Sequence, residues 1–139
     1  MPATDPYAKY FENQIMTASP SKLLIMSYDA AIRFGRIAQE RMKANNISDK
    51  GLYISKVQDL ILNLMGALDP KVDRQLVANL EALYTFMFDS LTYANFHDDT
   101  KILGNVLNIL SEMRETWVEA DKMNKTGRSS AANATRRAA

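Results

Sequence analysis

The residues best suited to chemistry stand together in one short stretch, where the only histidine, His97, precedes Asp98 and Asp99. A histidine beside carboxylates can serve proton transfer, phosphotransfer or metal binding. Bundles that hold two metals, however, place Glu-x-x-His pairs on inward helix faces, and a phosphotransfer bundle needs its histidine exposed in mid-helix. His97 lies in a predicted connection with no glutamate nearby. We therefore interpret His97 as a solvent-side residue and Asp98-Asp99 as helix caps.

Other catalytic and cofactor motifs are missing from the sequence. There is no phosphate-binding glycine loop, no His-Glu-x-x-His and no serine nucleophile elbow. The absence of cysteine excludes disulfides, thiol catalysis and cysteine-bound metals, and it suits a cytoplasmic protein. The sequence thus predicts a cytoplasmic protein that is not an enzyme and that holds no metal or cofactor.

Charge is unevenly distributed along the 139 residues, although the net charge is only +1. Residues 122–139 contain five basic groups and no acidic one, so residues 1–121 hold 12 basic against 16 acidic residues. A body of that sign is a poor nucleic-acid binder. No apolar run reaches the length of about 18 residues that a membrane span needs, so we expect no membrane insertion. Residues 123–139 are predicted to form a flexible basic tail.

The elements that must position these residues begin with the stretch Ile15–Met42, where Ser19 and Pro20 mark a helix start. Apolar residues then recur at helical spacing in two rows, wider together than the roughly 100° stripe of an ordinary surface helix. The first row is Leu23, Met26, Ala30, Phe34 and Ile37, and the second is Leu24, Tyr28, Ala31, Ala38 and Met42. We expect the core of a bundle to account for both rows and to leave Ile25 and Ile32 at their edge.

Three further helices follow from the apolar spacing. Their predicted bounds are residues 49 or 51 to 68, residues 72 or 73 to 95, and residues 100 to 122. Short links force neighbouring helices to run antiparallel. The predicted fold is all-α: an antiparallel up-down-up-down four-helix bundle over residues 1–122, in which residues 1–16 form a short N-terminal capping segment, followed by the flexible C-terminal tail.

Some apolar residues are not explained by this core. They are Ile25, Ile32, Leu52, Leu62, Phe86, Tyr93, Leu107 and Val118. Two hypotheses remain open: these residues line grooves that receive amphipathic helices, or they meet in a homodimer. The aromatic segment that contains Tyr7 and Tyr10 likewise either covers apolar surface permanently or acts as a cap that a partner displaces.

Several short motifs, taken in order and spacing, resemble one protein family. They are Pro6-Tyr7 and Tyr10, Thr17 to Pro20 leading into Leu23 to Phe34 with Tyr28-Asp29, Leu68-Asp69-Pro70, Ala82-Leu83-Tyr84 with Met87 and Leu91, Ala94-Asn95, and Met113-Arg114 to Trp117. Together they cover about residues 5–121 and are similar to the flagellar secretion chaperones of the FliS family. Gly35, Gly66 and the tail after Met123 depart from the family pattern.

The resemblance implies an antiparallel four-helix bundle that binds the disordered C-terminal segment of flagellin in the cytoplasm. The client would wrap the bundle and lay apolar anchors along its grooves, which would block premature polymerisation. Tyr7 and Tyr10 match the family pattern and are expected to belong to the displaced cap. From the helical spacing we add Ile25, Ile32, Phe86 and Tyr93 as client-binding residues. The flagellar export apparatus or a co-chaperone is an expected further partner, and a homodimer is the expected alternative when no client is bound.

Overall fold

The computed structural model describes the backbone of residues 18–138 and the side chains of residues 18–124. Four helices account for nearly all of this range. They are α1 (Pro20–Lys43), α2 (Ile47–Gly66), α3 (Arg74–His97) and α4 (Thr100–Ala138). A polar side chain precedes each helix and accepts a hydrogen bond from its first turn, as Ser19, Asn46, Asp73 and Asp99 do. These caps satisfy backbone donors that would otherwise have no partner, and they fix where each helix begins.

The connections of the bundle are short, so each helix runs antiparallel to the next. Residues 44–46 join α1 to α2, residues 67–73 join α2 to α3, and residues 98–99 join α3 to α4. Helix α1 packs against α2 and α4, and α3 packs against the same two helices. The all-α, up-down-up-down four-helix bundle is therefore confirmed, and α1 and α3 occupy diagonal corners.

A pair of tyrosines lies at the centre of the core. Tyr28 and Tyr84 are fully enclosed, and their hydroxyl oxygens are 2.5 Å apart. Because the Tyr28 hydroxyl donates to the sulfur of Met113 at 4.0 Å, the Tyr84 hydroxyl donates to Tyr28. Burial raises the pKa of both phenols above the usual value, because the charged form would lose its water. The pair thus joins α1 to α3 across the diagonal of the bundle.

The turn between α3 and α4 is held by a buried cation. Lys50 of α2 is only 5% exposed, and its ammonium donates to the backbone oxygen of Asn95 at 2.8 Å and to Asp98 at 2.5 Å. Asp98 ends α3 in the left-handed conformation, with φ of 51°, and Asp99 caps α4. Both aspartates therefore act at helix ends as predicted, and His97 is exposed at the last position of α3.

The predicted end of the fourth helix near Lys122 is wrong, because α4 continues to Ala138. The additional residues contain several alanines and no proline, and only Gly127 opposes helix formation strongly. The helical backbone therefore includes most of the segment that was predicted to be a flexible tail. Its flexibility stays a prediction.

Candidate functional site

Helix α1 is apolar on two opposite sides, and the core uses one of them. The buried side carries Tyr28, Ala31, Ile32, Gly35, Ala38 and Met42. At 3.6 residues per turn, Leu23, Met26 and Ile37 lie about 140–180° around the helix axis from Tyr28. These three side chains are partly exposed, and none of them packs against the buried core. We call Leu23, Met26, Ala30 and Ile37 the outer row of α1.

The sequence-based assignment of the two sides of α1 is therefore wrong in part. The row with Leu23, Met26 and Ile37 was expected to serve the core, and Ile32 was expected at its edge. Ile32 is instead only 7% exposed and belongs to the core, whereas Ile25 is partly exposed outside it. The edge prediction is also wrong for Leu107, which is buried.

The physical reason is a close approach between α1 and α4. A Cβ atom placed on Gly35 would lie 2.1 Å from Cδ2 of Leu107, so only glycine fits there without movement of the leucine. This contact brings the side of α1 that carries Ile32 against α4. The sequence did contain a sign of it, because the small residues Ala31, Gly35 and Ala38 follow one another at spacings of four and three. Such spacing places small side chains on one face, where a neighbouring helix can come near.

A second apolar surface lies on α3, where the prediction of exposed edges is confirmed. Phe86 is 58% exposed and Tyr93 is 48% exposed, and the two lie seven residues apart, on the side of α3 opposite to Tyr84. Phe96, which the sequence analysis did not single out, is 83% exposed. Its ring centroid lies 5.2 Å from that of His97, which in turn is 4.1 Å from that of Tyr93. We call Phe86, Tyr93, Phe96 and His97 the outer face of α3.

These two surfaces do not meet. Since α1 and α3 occupy diagonal corners, the outer row of α1 and the outer face of α3 point to opposite sides of the bundle. The structure thus brings Phe86 and Tyr93 together on one side and places Ile25 and Ile32 on another helix. Tyr7 and Tyr10 lie outside the described residues. A single chain that touched both surfaces would have to pass around the bundle.

A charged groove runs beside the outer row, between α1 and α4. Its volume is about 580 Å³, and it is lined by Asp29, Ile32, Arg33, Arg36, Ile37, Glu40, Ser111, Arg114 and Glu115. Arg114 donates to the carboxylates of Asp29 and Glu115, and the hydrogen bond to Asp29 raises the pKa of the guanidinium. Arg36, in contrast, is exposed and has no ion pair within residues 18–124. The groove combines an apolar floor with polar rims, as grooves that bind amphipathic helices do.

Within the described part of the chain, no group of three or more histidine or acidic side chains is placed to hold a metal ion. None of the helices there has an apolar stretch long enough to cross a bilayer.

Comparison with known proteins decides the family. The family model described as "Flagellar protein FliS" matches residues 3–124. The chain belongs to the FliS family. Its fold agrees, since a crystal structure of a flagellar chaperone from bacteria superposes with a TM-score of 0.70 at 18% identity, over 84% of this chain and 98% of that one.

Relatives with assigned roles point the same way. The flagellar secretion chaperone FliS of Bacillus subtilis (strain 168) is 29% identical over 120 residues, which cover 86% of this chain and 89% of that protein. The flagellar secretion chaperone FliSB of Pseudomonas aeruginosa is 33% identical over 108 residues, with 76% and 84% covered. Membership of the FliS family supports a chaperone role in flagellar export for this chain.

Proposed function

We propose that this FliS-family chaperone binds the C-terminal segment of flagellin in the cytoplasm and keeps it from polymerising before export. The observation that carries the proposal is the outer row of α1, since a helix that is apolar on two opposite sides has one side more than the bundle core uses. Leu23, Met26, Ala30 and Ile37 follow the spacing at which a docked amphipathic helix finds its contacts. The exposed rings of Phe86 and Tyr93 provide a second surface of the same chemistry.

The client would contact both surfaces by passing around the bundle. Its apolar side chains would lie on the outer row of α1 and on the outer face of α3. Ile25, which is partly exposed on the same side of α1 as Ile32, would extend the first contact. The side chain of Ile32 is buried, so its part is to form the floor of the charged groove. Residues 1–16, including Tyr7 and Tyr10, would act as the cap that the client displaces.

Charge would set the orientation of the client helix. Arg36 is exposed without an ion pair within residues 18–124, and Arg33 lies over the ring of Phe34 at 5.3 Å. An acidic residue on the client beside its apolar stripe would pair with these guanidinium groups and fix the register. Ion pairs at such a rim change specificity more than affinity, so the apolar anchors would supply most of the binding energy.

This mode of binding would protect the client in a complex that is still weak enough to release it for export. Each large apolar anchor that becomes fully buried contributes about 1.5–3 kcal/mol. Ordering a disordered segment costs about 2–5 kcal/mol or more of this gain. A few anchors on α1 and α3 therefore give a complex that holds the segment and still releases it. While held, the same client side chains cannot pack against another flagellin.

The test is titration calorimetry with a synthetic peptide of the flagellin C-terminal segment, followed by circular dichroism of the mixture. We expect heat of binding at micromolar concentration and a gain in helicity. Ile37→Asp should weaken binding at least about tenfold, because the loss of one buried anchor is worth 1.4 kcal/mol or more. Ile47→Asp is the matched control, since Ile47 is exposed at the start of α2 and belongs neither to the outer row of α1 nor to the outer face of α3. Absence of heat at micromolar concentration would refute flagellin binding, and equal affinities for the two variants would refute the assignment to α1.

A further inference from the structure

Exposed apolar side chains are concentrated on one half of the bundle. Within residues 18–124, every large hydrophobic residue that is clearly exposed lies between Ile47 and Phe96, except Met123. Helices α2 and α3 approach each other in this half, where a Cβ atom on Gly51 would lie 3.9 Å from the side chain of Asn95. Isolated exposed side chains are normal on a protein surface, but several rings on one helix indicate an interaction surface. The outer face of α3 is the densest part of this half.

The same half is acidic. Residues 47–99 contain eight acidic and four basic residues, and one of the basic ones, Lys50, is buried against Asp98. Asp59, Glu81 and Asp89 are exposed and have no ion pair within the described residues. A ligand of complementary charge for this surface is basic.

The chain itself contains a basic helix of the required kind. Residues 122–139 carry five basic groups and no acidic one, and the backbone of α4 is helical to Ala138. The match to the FliS family ends at residue 124, so most of this segment lies beyond the part that the family shares. Arginine side chains bind aromatic faces as well as carboxylates, which suits a surface of exposed rings with acids around them.

The segment cannot reach the outer face of α3 in its own molecule while it remains helical. Helix α4 starts at the end of the bundle where α3 finishes and runs antiparallel to α3. After 24 residues, which is the length of α3, it reaches Met123 at the opposite end of the bundle. Residues 124–138 then continue for about 22 Å, at 1.5 Å per residue, past the end at which α3 begins. Tyr93 and Phe96 lie near the other end. A second copy of the chain has no such restriction.

We propose that residues 122–139 of one molecule dock on the outer face of α3 of a second molecule. The arginines pack on the rings of Phe86, Tyr93 and Phe96 and pair with the nearby carboxylates. Two molecules that exchange their segments in this way form a closed dimer, because every segment and every receiving surface of the pair is then occupied. Since Phe86 and Tyr93 also belong to the proposed client surface, the segment competes with the client. Only this competition rests on the proposed function; the self-association does not.

Sedimentation velocity of the full chain without client tests the self-association. We expect a monomer–dimer equilibrium that weakens when NaCl rises from about 0.1 M to about 1 M, because the Debye length falls from about 10 Å to about 3 Å. The segment variant replaces three arginines by glutamine: Arg128→Gln, Arg136→Gln and Arg137→Gln. The control variant removes the same charge from exposed lysines elsewhere: Lys22→Gln, Lys43→Gln and Lys101→Gln. The segment variant should dimerise at least about tenfold more weakly, and the control should not.

The receiving surface is tested by the double variant Phe86→Ser, Tyr93→Ser. Should its thermal unfolding differ from that of the original chain, the variant Asp59→Asn, Asp89→Asn replaces it, since both aspartates are exposed and keep their shape as amides. Either variant should weaken the dimer as the segment variant does. A full chain that stays monomeric in 0.1 M NaCl, a dimer that survives in the segment or surface variant, or equal losses in segment variant and control would each overturn the proposal.

Competition is measured by adding the flagellin peptide to the dimer. We expect monomeric complexes to replace the dimer as the peptide is bound, and the segment variant to bind the peptide more tightly than the original chain does. A peptide that binds while the dimer persists would overturn the shared surface. A peptide that does not bind at all would refute the proposed function and leave the measured dimer as it stands.

Discussion

The substitutions Ile32→Asp and Ile37→Asp separate the side of α1 that stabilises the fold from the side assigned to the client. Ile32 is 7% exposed within the core, and its replacement removes a buried side chain worth about 1.5–3 kcal/mol. A carboxylate at this depth adds a desolvation cost of several kcal/mol in an apolar site. Here the cost is smaller, because the groove beside Ile32 contains Arg36 and Arg114, which an aspartate can approach. We expect a total loss of about 3–5 kcal/mol, a large part of the usual 5–15 kcal/mol of domain stability.

Ile37→Asp should behave in the opposite way. Ile37 is partly exposed and does not pack against the core, so its replacement should change the free energy of unfolding by less than about 1 kcal/mol. Binding of the flagellin peptide should fall as described above. Urea unfolding can be followed by the fluorescence of Trp117, the only tryptophan, which packs against the core. The assignment would be refuted if Ile32→Asp lowered the free energy of unfolding by less than about 1 kcal/mol and weakened client binding. Ile32 would then lie at the edge of the core, as the sequence analysis expected.

Substitutions at four further positions examine the interior of the bundle by urea or thermal unfolding. Tyr28→Phe and Tyr84→Phe should each cost about 1–2 kcal/mol, because each removes the hydrogen bond between the two buried hydroxyls, and the double variant should cost less than their sum. Burial raises the pKa of both phenols, so just above pH 10 these two tyrosines ionise only in the unfolded chain. The free energy of unfolding should therefore fall by about 1.4 kcal/mol per pH unit for each of the two tyrosines as the pH rises. The double variant should not show this fall. Gly35→Ala should destabilise by about 1–2 kcal/mol despite the better helix propensity of alanine, whereas Gly66→Ala, with no atom within 4 Å of its new Cβ, should not. Lys50→Met should cost about 1–3 kcal/mol, because it leaves a backbone oxygen and a carboxylate at the end of α3 without their donor; no change would show that water replaces the ammonium there.

The architecture was predictable because the starts of the helices and the ends of the first three are marked in the sequence. Pro20 after Ser19, and Asp99 before Thr100, combine a capping side chain with the beginning of an apolar period. Connections of two to seven residues leave no choice but antiparallel neighbours. The far end of α4 was not predictable by the same means. No proline or cap follows Lys122, and the change from apolar to polar composition there does not by itself mark the end of a helix.

The division of α1 into a core side and an outer side was not predictable from periodicity. A period of 3.6 residues shows that apolar residues share a face, but it does not say which of two apolar faces meets the neighbouring helices. That choice depends on the contact between Gly35 and Leu107, which joins residues 72 positions apart. On α3 the choice was easier, because one side carries Tyr84, Met87 and Leu91 in an unbroken stripe, and Phe86 falls clearly outside it.

The separation of the two sides of α1 has a consequence for how a chaperone of this size can work. If the client and the core used the same side chains, binding would have to open the bundle, and affinity would be limited by the stability that is lost. With the outer row distinct from the row of Tyr28, Ala31 and Ile32, each can change without the other. Substitutions on the outer row should therefore lower client affinity at constant stability, and substitutions on the inner row should lower stability. If the free energies of binding and of unfolding instead changed together along α1, the client would have to enter the core. The bundle would then have to open before it could bind the client, instead of binding it as a folded unit.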